Sequence, residues 1–315
     1  MNPGPATNAS SGGTGRKSYG QVINQGQSMS IEALLSKPPS GNLMDALKEL
    51  RSLILSEGIP TDADGHSPLR IYVWCILLGV PPMRSNEYLA LVRRGASAAY
   101  SKIRNDTFRT LATDPLFRRR VSEASLIRLL NAFAHSLKDT GVDAQYVQGM
   151  NVIAAPFLYA AKSETEAFAL FSFFIKKECP SYVKPTMEGV HRGLKLVDQC
   201  LETVDRELYL FLKEKYLSAE LYAFPSVLTL SACTPPLPEV LVLWDFLLAY
   251  GPHLNILCVV AQLLLMRKEL LAAQSPMKLL RTFPPLQSKK IIQIAVRLVK
   301  EIPQSLFDQL VTHAR

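Results

Sequence analysis

Along most of this chain, large apolar residues recur every three or four positions, the spacing that turns one face of an α-helix toward a core. Leu43, Leu47, Leu50 and Ile54 make one such stripe, closed by Gly58 and Pro60. Leu126, Leu129, Leu130, Phe133 and Leu137 make another, beginning near Ser122 and ending before Gly141. Between them, Ser67-Pro68 offers a cap and a first-turn proline, while Gly79 and Pro81-Pro82 act as stops, so residues 68–78 read as a short helix. Further helical patterns cover residues 150–161, 164–177, 189–215, 238–250, 254–271, 289–300 and 303–313, with Pro or Gly at almost every junction. The strict alternation of half-buried strands is scarce, and no repeat of fixed period is visible. The expected fold is therefore all-α: one helical array, not a solenoid.

Residues 1–40 break this pattern. They are rich in Gly, Ser, Asn and Pro, carry few large apolar side chains, and cannot offset the entropy of ordering, so a disordered tail is expected. Residues 41–315 then form the folded part, with an N-terminal lobe of about 41–180 and a C-terminal lobe of about 181–315. The division is expected somewhere between Cys179 and Leu217, where prolines and a long charged helix interrupt the apolar density.

The longest apolar runs, 256–266 and 241–250, fall short of the roughly 20 residues that cross a bilayer. Neither a basic-then-apolar leader nor a carboxy-terminal lipidation motif is seen. The expectation is a cytoplasmic or nuclear protein without direct membrane insertion.

A formal charge of +8 raises the question of nucleic acid, but the basic residues are scattered, and the densest cluster is Arg118-Arg119-Arg120. No aromatic-interleaved basic stripe accompanies it, so nucleic acid is not an expected partner. A solvated face that modestly steers an acidic protein is. The five cysteines (Cys75, Cys179, Cys200, Cys233, Cys258) are widely spaced without a Cys-x-x-Cys pair, and read as reduced core residues, not as zinc ligands. A cysteine hydrolase using His135, His191 or His253 would need a nucleophile setting that the sequence does not display.

Three short segments concentrate polar chemistry. Arg70-x-x-x-Trp74 places two large side chains on one helix face, where the guanidinium could reach Asp106. Ile103-x-x-Asp106-x-x-Arg109-Thr110 puts a carboxylate one helical turn from an arginine, which on spacing alone suggests an ordinary ion pair. In Tyr146-Val147-Gln148-Gly149-Met150-Asn151, an extended run would turn Tyr146 and Gln148 the same way. Gly149 would permit a tight entry to the next helix, and Asn151 would stabilise that turn. Further on, Trp244 and Asp245 read most simply as filling and capping the second lobe.

Together with Leu243-Trp244-Asp245-Phe246 and Gly251, these segments resemble the signature set of the TBC domain, the catalytic domain of Rab-type GTPase-activating proteins. The resemblance runs from about Leu69 to beyond Gly251 and implies a two-lobed helical array. It implies that Arg109 is an arginine finger and that Gln148 replaces the water-orienting glutamine of a small GTPase, both supplied in trans. Arg70, Trp74, Ile103, Asp106, Tyr146, Gly149 and Asn151 would support them. No cofactor or metal of the chain's own is implied, since Mg²⁺ and GTP would belong to the substrate GTPase. Near-minimal length and the segment Pro235-Pro236-Leu237-Pro238-Glu239-Val240-Leu241 are similar to the short fungal branch of mitotic-exit and septation checkpoint proteins. Phe224-Pro225-Ser226-Val227 departs from the Trp- and Phe-rich segment usual in Rab-directed members, and the resembled branch acts on a Ras-like GTPase. That likeness implies a scaffold-like partner subunit and a cytoplasmic location at the spindle pole body. A catalytically idle scaffold that binds the GTPase or its regulator is the competing expectation.

Overall fold

The computed structural model describes residues 30–36, 41–139 and 145–315. Residues 1–29 and 37–40 of the expected tail lie outside the described residues. Within the remainder, Ile31–Leu35 is a short helix (α1), capped by Ser30 and with Ile31 buried, so order begins before residue 41.

The helices that follow are Leu43–Ser56 (α2), Arg70–Leu78 (α3), Ser85–Arg93 (α4), Tyr100–Thr107 (α5), Pro115–Arg120 (α6), Glu123–Asp139 (α7), Met150–Ala160 (α8) and Glu164–Glu178 (α9). The second half contains Glu188–Val204 (α10), Arg206–Glu214 (α11), Ala219–Tyr222 (α12), Phe224–Leu228 (α13) and Leu237–Tyr250 (α14). It ends with Asn255–Leu265 (α15), Arg267–Ala272 (α16), Pro276–Leu280 (α17), Ser288–Glu301 (α18) and Gln304–Thr312 (α19). Among the described residues there is no strand.

Local chemistry explains many boundaries. Asn42 accepts from the Met44 N–H at 3.0 Å to start α2, and Asp114 accepts from Phe117 N at 2.9 Å ahead of Pro115 to start α6. Gly79, with φ 66°, ends α3 in the left-handed conformation that a side chain would resist. Two expected continuous helices are broken. The pattern over 189–215 divides at Asp205, whose non-helical backbone stops α10 while its carboxylate accepts from Leu208 N at 3.0 Å to begin α11. The pattern over 254–271 divides at Met266. One ion pair spans both breaks, because Arg267 Nε donates to Asp205 Oδ2 at 2.5 Å.

The core is aromatic at its centre. Trp244 of α14 lies 5.2 Å from Phe157, 5.9 Å from Phe174 and 6.2 Å from Trp74, ring centre to ring centre. Its indole N–H donates to the Leu230 carbonyl at 3.1 Å. A helix of the second half therefore fills the centre of the first, and tilted or edge-to-face ring packing adds to the area it buries. Arg51 Nε donates to the Ala249 carbonyl at 2.7 Å, tying α2 to the same helix. The cysteines are all free thiols; Cys179, Cys200 and Cys258 are buried, and Cys75 and Cys233 are partly so.

Candidate functional site

Ile103 fastens α5 to the core with no exposed surface, and α5 packs on α7. One turn later Asp106 is 5 % exposed, and the chain then leaves the helix through Phe108, Arg109 and Thr110. Arg109 Nη2 donates to Asp106 Oδ1 at 2.6 Å, yet the Arg109 side chain remains 59 % exposed. The plain ion pair suggested by the spacing exists, and the guanidinium still faces solvent. Among the described residues no other group bonds it.

Asp106 serves a second loop as well. Its Oδ2 accepts the Tyr146 hydroxyl at 2.9 Å. Burial, and then the Asp106 charge, push the Tyr146 hydroxyl well above the ordinary tyrosine range, so it remains a donor. Tyr146 leads into a turn at Gln148 and Gly149. Contrary to the expectation for an extended run, the two side chains part: Tyr146 is buried and Gln148 is exposed. The reason is that the turn begins at Gln148, which ends the alternation after a single residue.

Gly149 has φ 109°, and a Cβ placed there would lie 2.8 Å from the Leu228 side chain, so only glycine fits between the loop and α13. Its N–H donates to Asn151 Oδ1 at 2.9 Å. Asn151 Nδ2 donates in turn to Thr110 Oγ1 at 2.8 Å and to the Asp106 carbonyl at 3.4 Å. The Arg109 and Gln148 loops are thus joined by buried hydrogen bonds through Asp106–Tyr146 and Asn151–Thr110. Two exposed polar side chains stand on one rigid base.

Arg70 and Trp74 lie elsewhere. The expected reach of Arg70 to Asp106 does not occur; instead Arg70 Nε and Nη2 donate to Asp245 at 3.0 and 3.1 Å. Trp74 Nε1 donates to Asp245 Oδ1 at 2.8 Å, and the Gly65 carbonyl accepts from Arg70 Nη1 at 2.6 Å. Asp245 therefore does not cap the second lobe; it sits mid-helix in α14 and receives both side chains. Burial raises its carboxyl above the ordinary range, opposed by the Arg70 guanidinium and the hydrogen bonds from Arg70 and Trp74. The sequence held a signal for this arrangement: an acid inside the apolar run Leu243-Trp244-Asp245-Phe246 must find a partner when buried. Phe108, beside Arg109 and 76 % exposed, is a surface residue that the sequence reading passed over.

Residues 67–271 match the Rab-GTPase-TBC domain family. The chain is 49 % identical to Cell division control protein 16 of Schizosaccharomyces pombe, over 90 % of its own length and 93 % of the relative's. It is 43 % identical to Mitotic check point protein BUB2 of Saccharomyces cerevisiae, over 90 % and 96 %. Its fold is similar to the crystal structure of the Ypt/Rab-GAP domain of Gyp1p, with a TM-score of 0.68 at 17 % identity, covering 89 % of this chain and 96 % of that one.

Proposed function

This chain belongs to the Rab-GTPase-TBC family, and on that premise we propose that it accelerates GTP hydrolysis by a small Ras- or Rab-like GTPase, lending Arg109 and Gln148 in trans. GTP hydrolysis spreads negative charge over phosphate oxygens in a loose transition state, so a protein helps by placing positive charge and orienting water. Arginine stays protonated at any working pH and offers a planar fork of donors. Asp106 engages only Nη2, which leaves the N–H groups of Nε and Nη1 unbonded and able to meet phosphate. A glutamine amide can accept from the attacking water while donating to a phosphate oxygen. Mg²⁺ and the nucleotide arrive with the GTPase.

The observation that carries this reading is that one buried hydrogen-bonded base displays both exposed side chains. The relatives' names, one a cell division control protein and the other a mitotic checkpoint protein, support a role restraining mitotic exit or septation. In that role the chain would act in the cytoplasm at the spindle pole body, beside a scaffold-like partner subunit. Single-turnover hydrolysis by GTP-loaded Ras- and Rab-type GTPases, with and without the chain, tests the activity. A second reading, an idle scaffold that holds the GTPase, draws on the Arg109–Asp106 ion pair, which occupies part of the finger. Under it the chain would bind a GTP-loaded GTPase without hastening hydrolysis.

A further inference from the structure

Phe108 leaves about three quarters of its surface in water, directly beside Arg109. Its backbone is not loose: its N–H donates to the Arg104 carbonyl at 3.2 Å, and the next residues are held by Arg109 N to Asp106 O at 3.3 Å and Thr110 N to Thr107 O at 3.0 Å. Tyr100, Ser101, Arg104, Asn105 and Phe108 share the outer face of α5, spaced three and four apart. With Glu123 at the start of α7 they line an open depression of about 690 Å³. Arg104 has no ion-pair partner among the described residues, whereas the Asp106 carboxylate is already taken by Arg109 and Tyr146. This face thus combines an anchored aromatic ring, a guanidinium without an ion-pair partner among the described residues and a recess, and its end at Phe108 adjoins Arg109 in the chain.

Resting on the reading of the chain as a GTPase activator, we infer that Phe108 and Arg104 form a docking element that sets affinity for the GTPase, Phe108 receiving an apolar side chain and Arg104 a carboxylate. The occupant is the GTPase because the recess ends at Phe108, the residue that directly precedes in the chain the one that would meet its nucleotide. Exposed aromatics and arginines that become desolvated at the centre of an interface carry a large share of binding energy. Phe108 makes no contact with the reacting phosphate in this scheme; it positions the partner.

The test is the dependence of the hydrolysis rate on chain concentration, using purified Ras- and Rab-type GTPases loaded with GTP. For the GTPase that the unaltered chain accelerates best, Phe108→Ala is expected to raise KM about tenfold or more and leave kcat within about twofold. Phe108→Leu should restore most of the affinity, and Arg104→Glu should raise KM most at low salt. Thermal melting of each variant should match that of the unaltered chain, because neither side chain is buried. An unchanged KM for Phe108→Ala, or a fall in kcat alone, overturns the docking role while leaving the activator reading intact. Failure of the unaltered chain to accelerate any GTPase in the panel overturns both.

Discussion

The guanidinium of Arg109 rests 2.6 Å from Oδ1 of Asp106, while the other oxygen of that buried carboxylate holds Tyr146 at 2.9 Å. One acid therefore fixes the resting position of the exposed arginine and the entry to the glutamine loop. If Arg109 is the finger, Arg109→Ala and Arg109→Lys should remove acceleration by about three to five decades, because lysine keeps the charge but not the fork. Single-turnover hydrolysis reads the loss. Melting temperature should barely move, since the side chain is 59 % exposed.

Gln148→Ala should lower the rate by about two decades, the scale of removing one oriented polar group from a transition state. The side chain is exposed, so its truncation leaves the buried Gly149–Asn151–Thr110 connections in place. A change in denaturation midpoint without a change in rate would assign Gln148 to packing.

The Arg70–Asp245 pair makes a contrasting prediction. Both side chains are almost wholly buried, so Asp245→Ala strands a guanidinium in the core and should cost about 3–5 kcal/mol of stability. Arg70→Met should be destabilising alone, and the Arg70→Met, Asp245→Leu double variant should cost less than the sum of the single changes. Urea denaturation of the members of this cycle measures the coupling.

At Gly149, alanine would carry a Cβ into Leu228 at 2.8 Å and occupy φ 109°, so Gly149→Ala should cost about 1–3 kcal/mol. Adding Leu228→Ala should relieve the collision but not the backbone strain, giving incomplete recovery of the melting temperature.

Asp198 gives the fold a pH dependence away from the candidate site. Burial, with some help from Glu220, lifts its carboxyl from an ordinary 3.8 to about 6, against the opposing hydrogen bond from Ala219 N. Between those values the folded chain holds the proton more tightly than the unfolded chain, so this residue's contribution to stability falls as pH rises toward 6. Asp198→Asn should flatten that slope, as urea midpoints measured from pH 4 to 7 would show.

The strongest elements were legible because their signals are local. The stripes of α2, α7 and α9 repeat at helical spacing over several turns, and Gly79 and Pro81-Pro82 stop α3 where expected. Helix α4 was not legible, and α5 only as the turn from Ile103 to Arg109, because neither carries the Ser-Pro start that marks out the similarly short α3. The breaks at Asp205 and Met266 were hidden because apolar residues continue on both sides. Within the candidate site, the Asp106–Arg109 pairing lies within one turn and could be read from spacing. The partner of Arg70 could not, since it lies 175 residues away in sequence and only burial forces the match.

Every side chain proposed to act on GTP precedes residue 152, yet the activator could not be pared down to that stretch. The indole at the heart of the aromatic cluster and the anion that neutralises Arg70 both come from a single turn of α14. A chain ending after Lys215 would retain Arg109 and Gln148 but leave a buried cation unmatched and a hole where Trp244 belongs. Early stop codons well downstream of the finger should thus be as disabling as loss of the finger itself, and no minimal peptide or excised N-terminal half should inherit the activity.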